Sequence, residues 1–166
     1  AIKAVGFIRI LAALVITIVG GGLSLALTIS GMTRHKSPQV ALMFAPGESN
    51  ALANRADQLF FTNPKKPPAA AARLARKALE RQAMNPRALR VLGYVADSKG
   101  EKRRALALVE MAARLSRREP GTQLWLIEHF AKANDTAKTL NHYDVLLTTK
   151  PDTQVLLFPR LSNAIA

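Results

Sequence analysis

Leu89-Arg-Val-Leu-Gly-Tyr-Val-Ala96, with the run 105–115 that follows it, decides how this chain folds. In the first segment Leu89, Leu92, Gly93 and Ala96 recur at i, i+3, i+4 and i+7. In the second, Ala105, Leu108, Val109 and Ala112 do the same. That spacing places each set on one stripe of an amphipathic helix. Asp97-Ser-Lys-Gly100 lies between them, and its Gly suits the left-handed residue that ends a helix. Two short helices joined by a turn cannot hide both stripes on each other. Neighbouring units of the same kind are therefore expected on either side.

The spacing of those units is legible. Asn85-Pro86 precedes the hairpin and Glu119-Pro120 follows it, 34 residues later. Adding 34 takes Leu92 to Leu126, Gly93 to Ile127, Ala96 to Phe130, Val109 to Tyr143 and Ala112 to Leu146. It also takes Gly100 to Asn134, the next best left-handed residue. Subtracting 34 takes Ala105 to Ala71, Val109 to Ala75 and Ala112 to Ala78. Apolar positions stay apolar, and three units are expected at 48–86, 87–120 and 121–151.

The phrase Leu92-Gly93…Ala96…Gly100…Ala105-Leu106…Ala112 resembles the tetratricopeptide-repeat motif, with Val109 in place of the bulky aromatic before the last Ala. The middle unit carries the closest match. The third has Leu126-Ile127 for the Leu-Gly pair and Thr139 for the small Ala. The first has a longer connection, Thr62-Asn-Pro-Lys-Lys-Pro-Pro68. The resemblance implies an all-α chain built as a short α-α solenoid of helix hairpins. In that family the first helices of successive repeats line a concave groove for partner segments. Carried onto this sequence, the groove would hold Arg87, Arg90, Tyr94, Leu124, Glu128 and Lys132, with the Arg pair free to bind a carboxylate. Trp125, the sole Trp, is read as packing between repeats, with a partner anchor as the alternative.

Residues 1–36 have a different composition. From 10 to 33 there are 24 residues without a charge, flanked by Lys3 and Arg9 on one side and Arg34, His35 and Lys36 on the other. As a helix this run would reach about 36 Å, enough to cross a hydrocarbon core of about 30 Å. A retained single transmembrane anchor is expected over 1–36, longer than a signal-peptide core. Ala13, Thr17, Gly20, Gly21, Ser24 and Thr28 form a strip of small residues that would let another membrane helix approach closely. The expected setting is a bacterial inner membrane crossed once, with the C-terminal domain periplasmic. Residues 37–47 read as a linker, because Ser37-Pro38 ends the membrane helix and Ala45-Pro46-Gly47 is a turn.

Beyond the linker, Leu52, Ala56, Leu59 and Phe60 make the stripe of the first helix, and 69–84 make its partner, with Arg73, Arg76, Lys77 and Arg81 on its outer side. After Lys150-Pro151-Asp152, residues 152–166 read as the start of a further helix or as a docking tail. They are apolar at Val155-Leu-Leu-Phe158.

Charge is uneven. The chain carries a net +13, and residues 65–118 hold 15 Lys/Arg against 4 acids. That field attracts anionic partners: lipid headgroups, an acidic protein face or nucleic acid. Only one aromatic, Tyr94, lies in that stretch, which disfavours base stacking and hence nucleic acid. The absence of Cys removes thiol nucleophiles and thiolate metal sites. Gly20-Gly-Gly22 lacks the Lys-Ser/Thr of a phosphate loop. His129 and His142 fall on adjacent helices of one hairpin without a third ligand. No enzyme, cofactor or metal is expected. The expected function is an anchored adaptor or scaffold that binds other membrane or envelope proteins, of the kind that serves secretion, polysaccharide, cell-wall or cytochrome assembly. The alternatives are a basic module for anionic lipid or polymer, and a structural subunit acting through its membrane helix.

Overall fold

The computed structural model describes residues 37–150 together with Thr28. Seven helices run through 37–150: α1 Pro38–Phe44, α2 Ser49–Thr62, α3 Ala69–Arg81, α4 Pro86–Ser98, α5 Lys102–Leu115, α6 Pro120–Lys132 and α7 Thr136–Thr149. No strand occurs among the described residues. Helices pair as hairpins α2/α3, α4/α5 and α6/α7. Consecutive hairpins meet through α2, α3 and α4 on one side and α5 and α6 on the other. None of the described helices is long and apolar enough to cross a membrane. The uncharged run 10–33 and the tail 151–166 lie outside the described residues. So do Ala13, Thr17, Gly20, Gly21 and Ser24; Thr28 is helical and exposed.

The 34-residue period holds at the level of backbone dihedrals. Gly100 has φ 80° and Asn134 has φ 55°, so equivalent turns use the left-handed conformation that Gly and Asn tolerate best. The helices begin earlier than the apolar stripes predict. Pro86 and Pro120 are not boundaries before a helix but its first residues, where a missing N–H costs nothing and φ is already helical. Asn85 caps α4, accepting from the Ala88 N–H at 3.0 Å, and Asp135 caps α7 by accepting from Lys138 N–H at 3.1 Å. The same logic explains α1, inside the stretch that reads as a linker. Pro38 opens this helix in the same way. Ala41 is fully buried, and the helix packs on α2.

The core is rich in alanine. Ala53 and Ala56 of α2 share one core cluster with Ala71, Ala75 and Ala78 of α3, and all five are fully buried. Side chains this small let helix backbones approach closely. At Gly93 the approach is closer still: a Cβ there would sit 2.5 Å from Val109 Cγ2 and 3.2 Å from the Ala105 carbonyl oxygen. Phe60, Val91, Tyr94, Val95, Val109, Leu126 and Phe130 complete one cluster that spans all three hairpins. Ile127, Tyr143 and Leu146 form a second cluster in the last. Asn85, 1 % exposed, also stitches the first two hairpins together. Its Nδ2 donates to Ser49 Oγ at 2.9 Å and Asn50 Oδ1 at 3.2 Å, while Ser49 Oγ donates to the Ala78 carbonyl at 3.0 Å.

Helix α4 is the centre of the molecule. It packs on α2, α3 and α5, and Ala88, Leu89, Arg90, Val91, Gly93, Tyr94, Val95 and Ala96 are all buried. A helix enclosed on several sides keeps little of its polar face for solvent.

Candidate partner-binding cleft

Helices α2, α4 and α6 each contribute their C-terminal or outer face to a cleft of about 650 Å³. Phe60 and Phe61 at the end of α2, Tyr94 and Asp97 on α4, and Leu124, Trp125 and Glu128 on α6 line it, with Tyr143 of α7 behind. The rings form one connected wall. Phe60 lies 5.4 Å from Phe61 and 5.2 Å from Tyr94, and Phe61 lies 6.3 Å from Tyr94, edge to face. Phe61 is 57 % exposed and Leu124 40 %, so the cleft offers large apolar groups to whatever enters.

Its floor is held by polar bonds. Tyr94 Oη donates to the Gly121 carbonyl at 2.6 Å, joining α4 to α6. Trp125 Nε1 donates to Asp97 Oδ2 at 3.2 Å, and Lys102 Nζ meets the other Asp97 oxygen at 2.6 Å. The indole also stacks on His129 at 4.9 Å, nearly parallel. Trp125 packs between α4 and α6, and one side of it lines the cleft. Lys132 pairs with Glu128 at 2.6 Å at the rim, and the hydrogen bond to that carboxylate raises the ammonium pKa.

Two of the residues that the resemblance assigns to an open groove are placed elsewhere. Arg90 is 5 % exposed. Its Nη2 lies 3.0 Å from Asp57 Oδ1 and 3.7 Å from Glu119 Oε2, and its Cζ sits 5.4 Å from the Tyr94 ring centre. Burial opposes its charge, but Asp57, Tyr94 and Glu119 together outweigh that and raise its pKa. Arg87 pairs with Glu119 at 2.9 Å and donates to Asn54 Oδ1. The reason is electrostatic. A guanidinium drawn into a protein needs carboxylates around it, and α2 and the α5–α6 turn supply them. Neither Arg is free to hold a carboxylate of a partner. Tyr94 is 8 % exposed and lines the cleft from below its open side chains. Burial pushes its phenol pKa up, and the adjacent Arg90 partly offsets that rise. The structure thus brings Tyr94, Leu124, Trp125 and Glu128 together, sets Lys132 beside them, and diverts Arg87 and Arg90 into structural pairs.

Phe61 is the residue that sequence reasoning misses, because it lies one position off the apolar stripe of α2. Phe60 was within reach: Tyr94 minus 34 is Phe60.

A second, more polar cleft of about 400 Å³ opens between α5, α6 and α7, lined by Arg114, Arg117, Gln123, His142 and Glu110 among others. His142 Nδ1 is 2.8 Å from Gln123 Oε1, and its ring stacks on Phe130 at 5.6 Å. Burial lowers the His142 pKa; Glu110 works against the shift and Arg117 with it. His129 stacks on Trp125 and meets Phe130 edge on, while His142 stacks on the face of the same Phe130. Among the described residues no three His, Asp or Glu side chains are placed to hold a metal ion.

No protein-family model matches the chain, and no curated protein matches it.

Proposed function

We propose that this chain is an adaptor of tetratricopeptide-like, solenoid build that holds an apolar segment of another protein in the cleft between α2, α4 and α6. The observation that carries this reading is Phe61 and Leu124, two large apolar side chains left open over a wall of aromatic rings. Leaving such surface in water is unfavourable by roughly 25 cal/mol per Å², and exposed apolar clefts rimmed by polar groups are typical docking sites. Glu128 and Lys132, an exposed pair beside the cleft, add polar contacts that fix the register of an incoming chain. The polar bonds beneath keep the cleft preformed, which reduces the ordering cost of binding.

The uncharged run 10–33 supports a membrane anchor for this adaptor, and we assign the repeats to the periplasmic side of a bacterial inner membrane, within an envelope assembly. The test is comparative. Full-length protein and a Phe61→Asp/Leu124→Asp variant are purified from the native membrane, and co-purifying proteins are quantified by mass spectrometry. Both substitutions are at exposed positions, so the helical circular dichroism stays unchanged. The adaptor reading expects a defined subset of proteins lost from the variant; identical sets from both would refute it.

A further inference from the structure

We infer that the outer faces of α3 and α5 form a second surface, which docks on an anionic lipid bilayer. Of the 15 Lys and Arg between 65 and 118, only Arg87, Arg90, Lys102 and Arg104 have a carboxylate of the described residues within 4.0 Å. Among the described residues the other eleven have none, although this is a folded domain with acids of its own. The buried stripes fix where they point. Ala71, Ala75 and Ala78 face inward on α3, so Arg73, Arg76 and Lys77 face out. Ala105, Val109 and Ala112 face inward on α5, so Arg103 and Arg114 face out. Glu80 and Glu110 are the acids on these two helices, too few to neutralise them.

Cations alone would suit any polyanion; the apolar side chains among them narrow the choice. Met84 is 71 % exposed, Met111 47 % and Leu115 39 %. Exposed flexible hydrophobes interleaved with Lys and Arg are the composition of a surface that lies in the lipid headgroup region. Nucleic acid fits less well, since the only aromatic of 65–118, Tyr94, is buried under the other cleft. The cations also do not converge on a built anion pocket. The nearest cleft, which Arg114 and Arg117 line, contains Glu110 as well. Scattered cations suit mobile headgroups better than one fixed phosphate. No residue of α3 or α5 lines the aromatic cleft, so lipid and protein partner can be held at once, and either reading can fail without the other.

The chain has no Cys, so Ala107→Cys gives a unique labelling site on the exposed face of α5 between Arg103 and Arg114. The full chain carrying an environment-sensitive fluorophore there is reconstituted in symmetric vesicles of phosphatidylcholine, with or without phosphatidylglycerol. Symmetric leaflets make the result independent of orientation. The expected result is a blue-shifted, stronger emission with phosphatidylglycerol only, reversed by salt. Each cation near an anionic surface is worth roughly a fivefold change in occupancy, so Arg103→Glu/Arg114→Glu/Arg117→Glu should lower the docked-to-free ratio by about a hundredfold or more. The same label on Leu124→Cys, in the aromatic cleft, should not respond. Equal emission in both lipids, a reversal variant that still responds, or a response at Leu124 as large as at Ala107 would each overturn the inference. So would a response to duplex DNA in place of lipid.

Discussion

Gly93 should be a residue whose substitution by Ala destabilises the protein in one background and stabilises it in another. In the wild type the new Cβ would lie 2.5 Å from Val109 Cγ2 and 3.2 Å from the Ala105 carbonyl oxygen, and Val109 and Ala105 are fully buried. Val109 cannot swing aside cheaply, because a β-branched side chain in a helix has one strongly preferred rotamer. Overpacking of this kind costs about 1–3 kcal/mol, and the contact distance puts Gly93→Ala near the upper end. Ala is better than Gly in a helix by about 1 kcal/mol. The net loss is about 2 kcal/mol, a fall in melting temperature of roughly 8–12 °C for a domain of this size. Val109→Ala alone leaves a cavity and costs about 2 kcal/mol. In that background the clashing methyl is gone and only the 3.2 Å approach to the Ala105 carbonyl oxygen remains, so Gly93→Ala recovers part of its helix preference and fills part of the void. The double variant should then be more stable than Val109→Ala. Thermal unfolding of the full chain in mild detergent, followed by far-ultraviolet circular dichroism, measures the cycle. If the two changes were additive, with no coupling beyond about 0.5 kcal/mol, α4 and α5 would not meet at Gly93 and the hairpin packing described above would be wrong.

Asn85 and Asp135 cap equivalent kinds of helix start but differ in burial, and that difference is measurable. Asp135→Ala removes a cap at the surface and should be the milder of the two changes. Asn85→Ala removes the cap and also the bridge to Ser49 and Asn50 in a site 1 % exposed, and should cost at least about 2 kcal/mol; equal effects in the same melting assay would refute the bridging role. His142 gives a pH prediction. Its pKa is lowered in the folded state by burial, with Glu110 opposing and Arg117 reinforcing the shift. The unfolded chain therefore takes up the proton first. The His142 contribution is complete above its ordinary value of 6.5 and is lost as pH falls through that value toward the folded pKa. Wild-type stability should decline in that window relative to His142→Gln, and parallel pH profiles would show that the ring is not desolvated.

What sequence alone determined here is local and periodic. Stripes at i, i+3, i+4 and i+7 specify helices because they report one turn of one helix. Gly100 and Asn134 mark equivalent turns because few residues tolerate a positive φ. The 34-residue offset carries Tyr94 back to Phe60 and so reaches part of the aromatic wall. The fate of the polar faces was another matter. A helical wheel puts Arg87 and Arg90 on the open side of α4. It contains no information about α2, or about Asp57 and Glu119, which lie 33 and 29 residues from Arg90. Only when the hairpins stack do those carboxylates arrive, and the two cations are drawn in to meet them. The same stacking leaves Phe61 uncovered, off its own stripe and opposite Leu124 from a helix two hairpins along. Secondary structure follows from contacts within a turn or two of the chain; which face stays open depends on which distant surfaces cover the others.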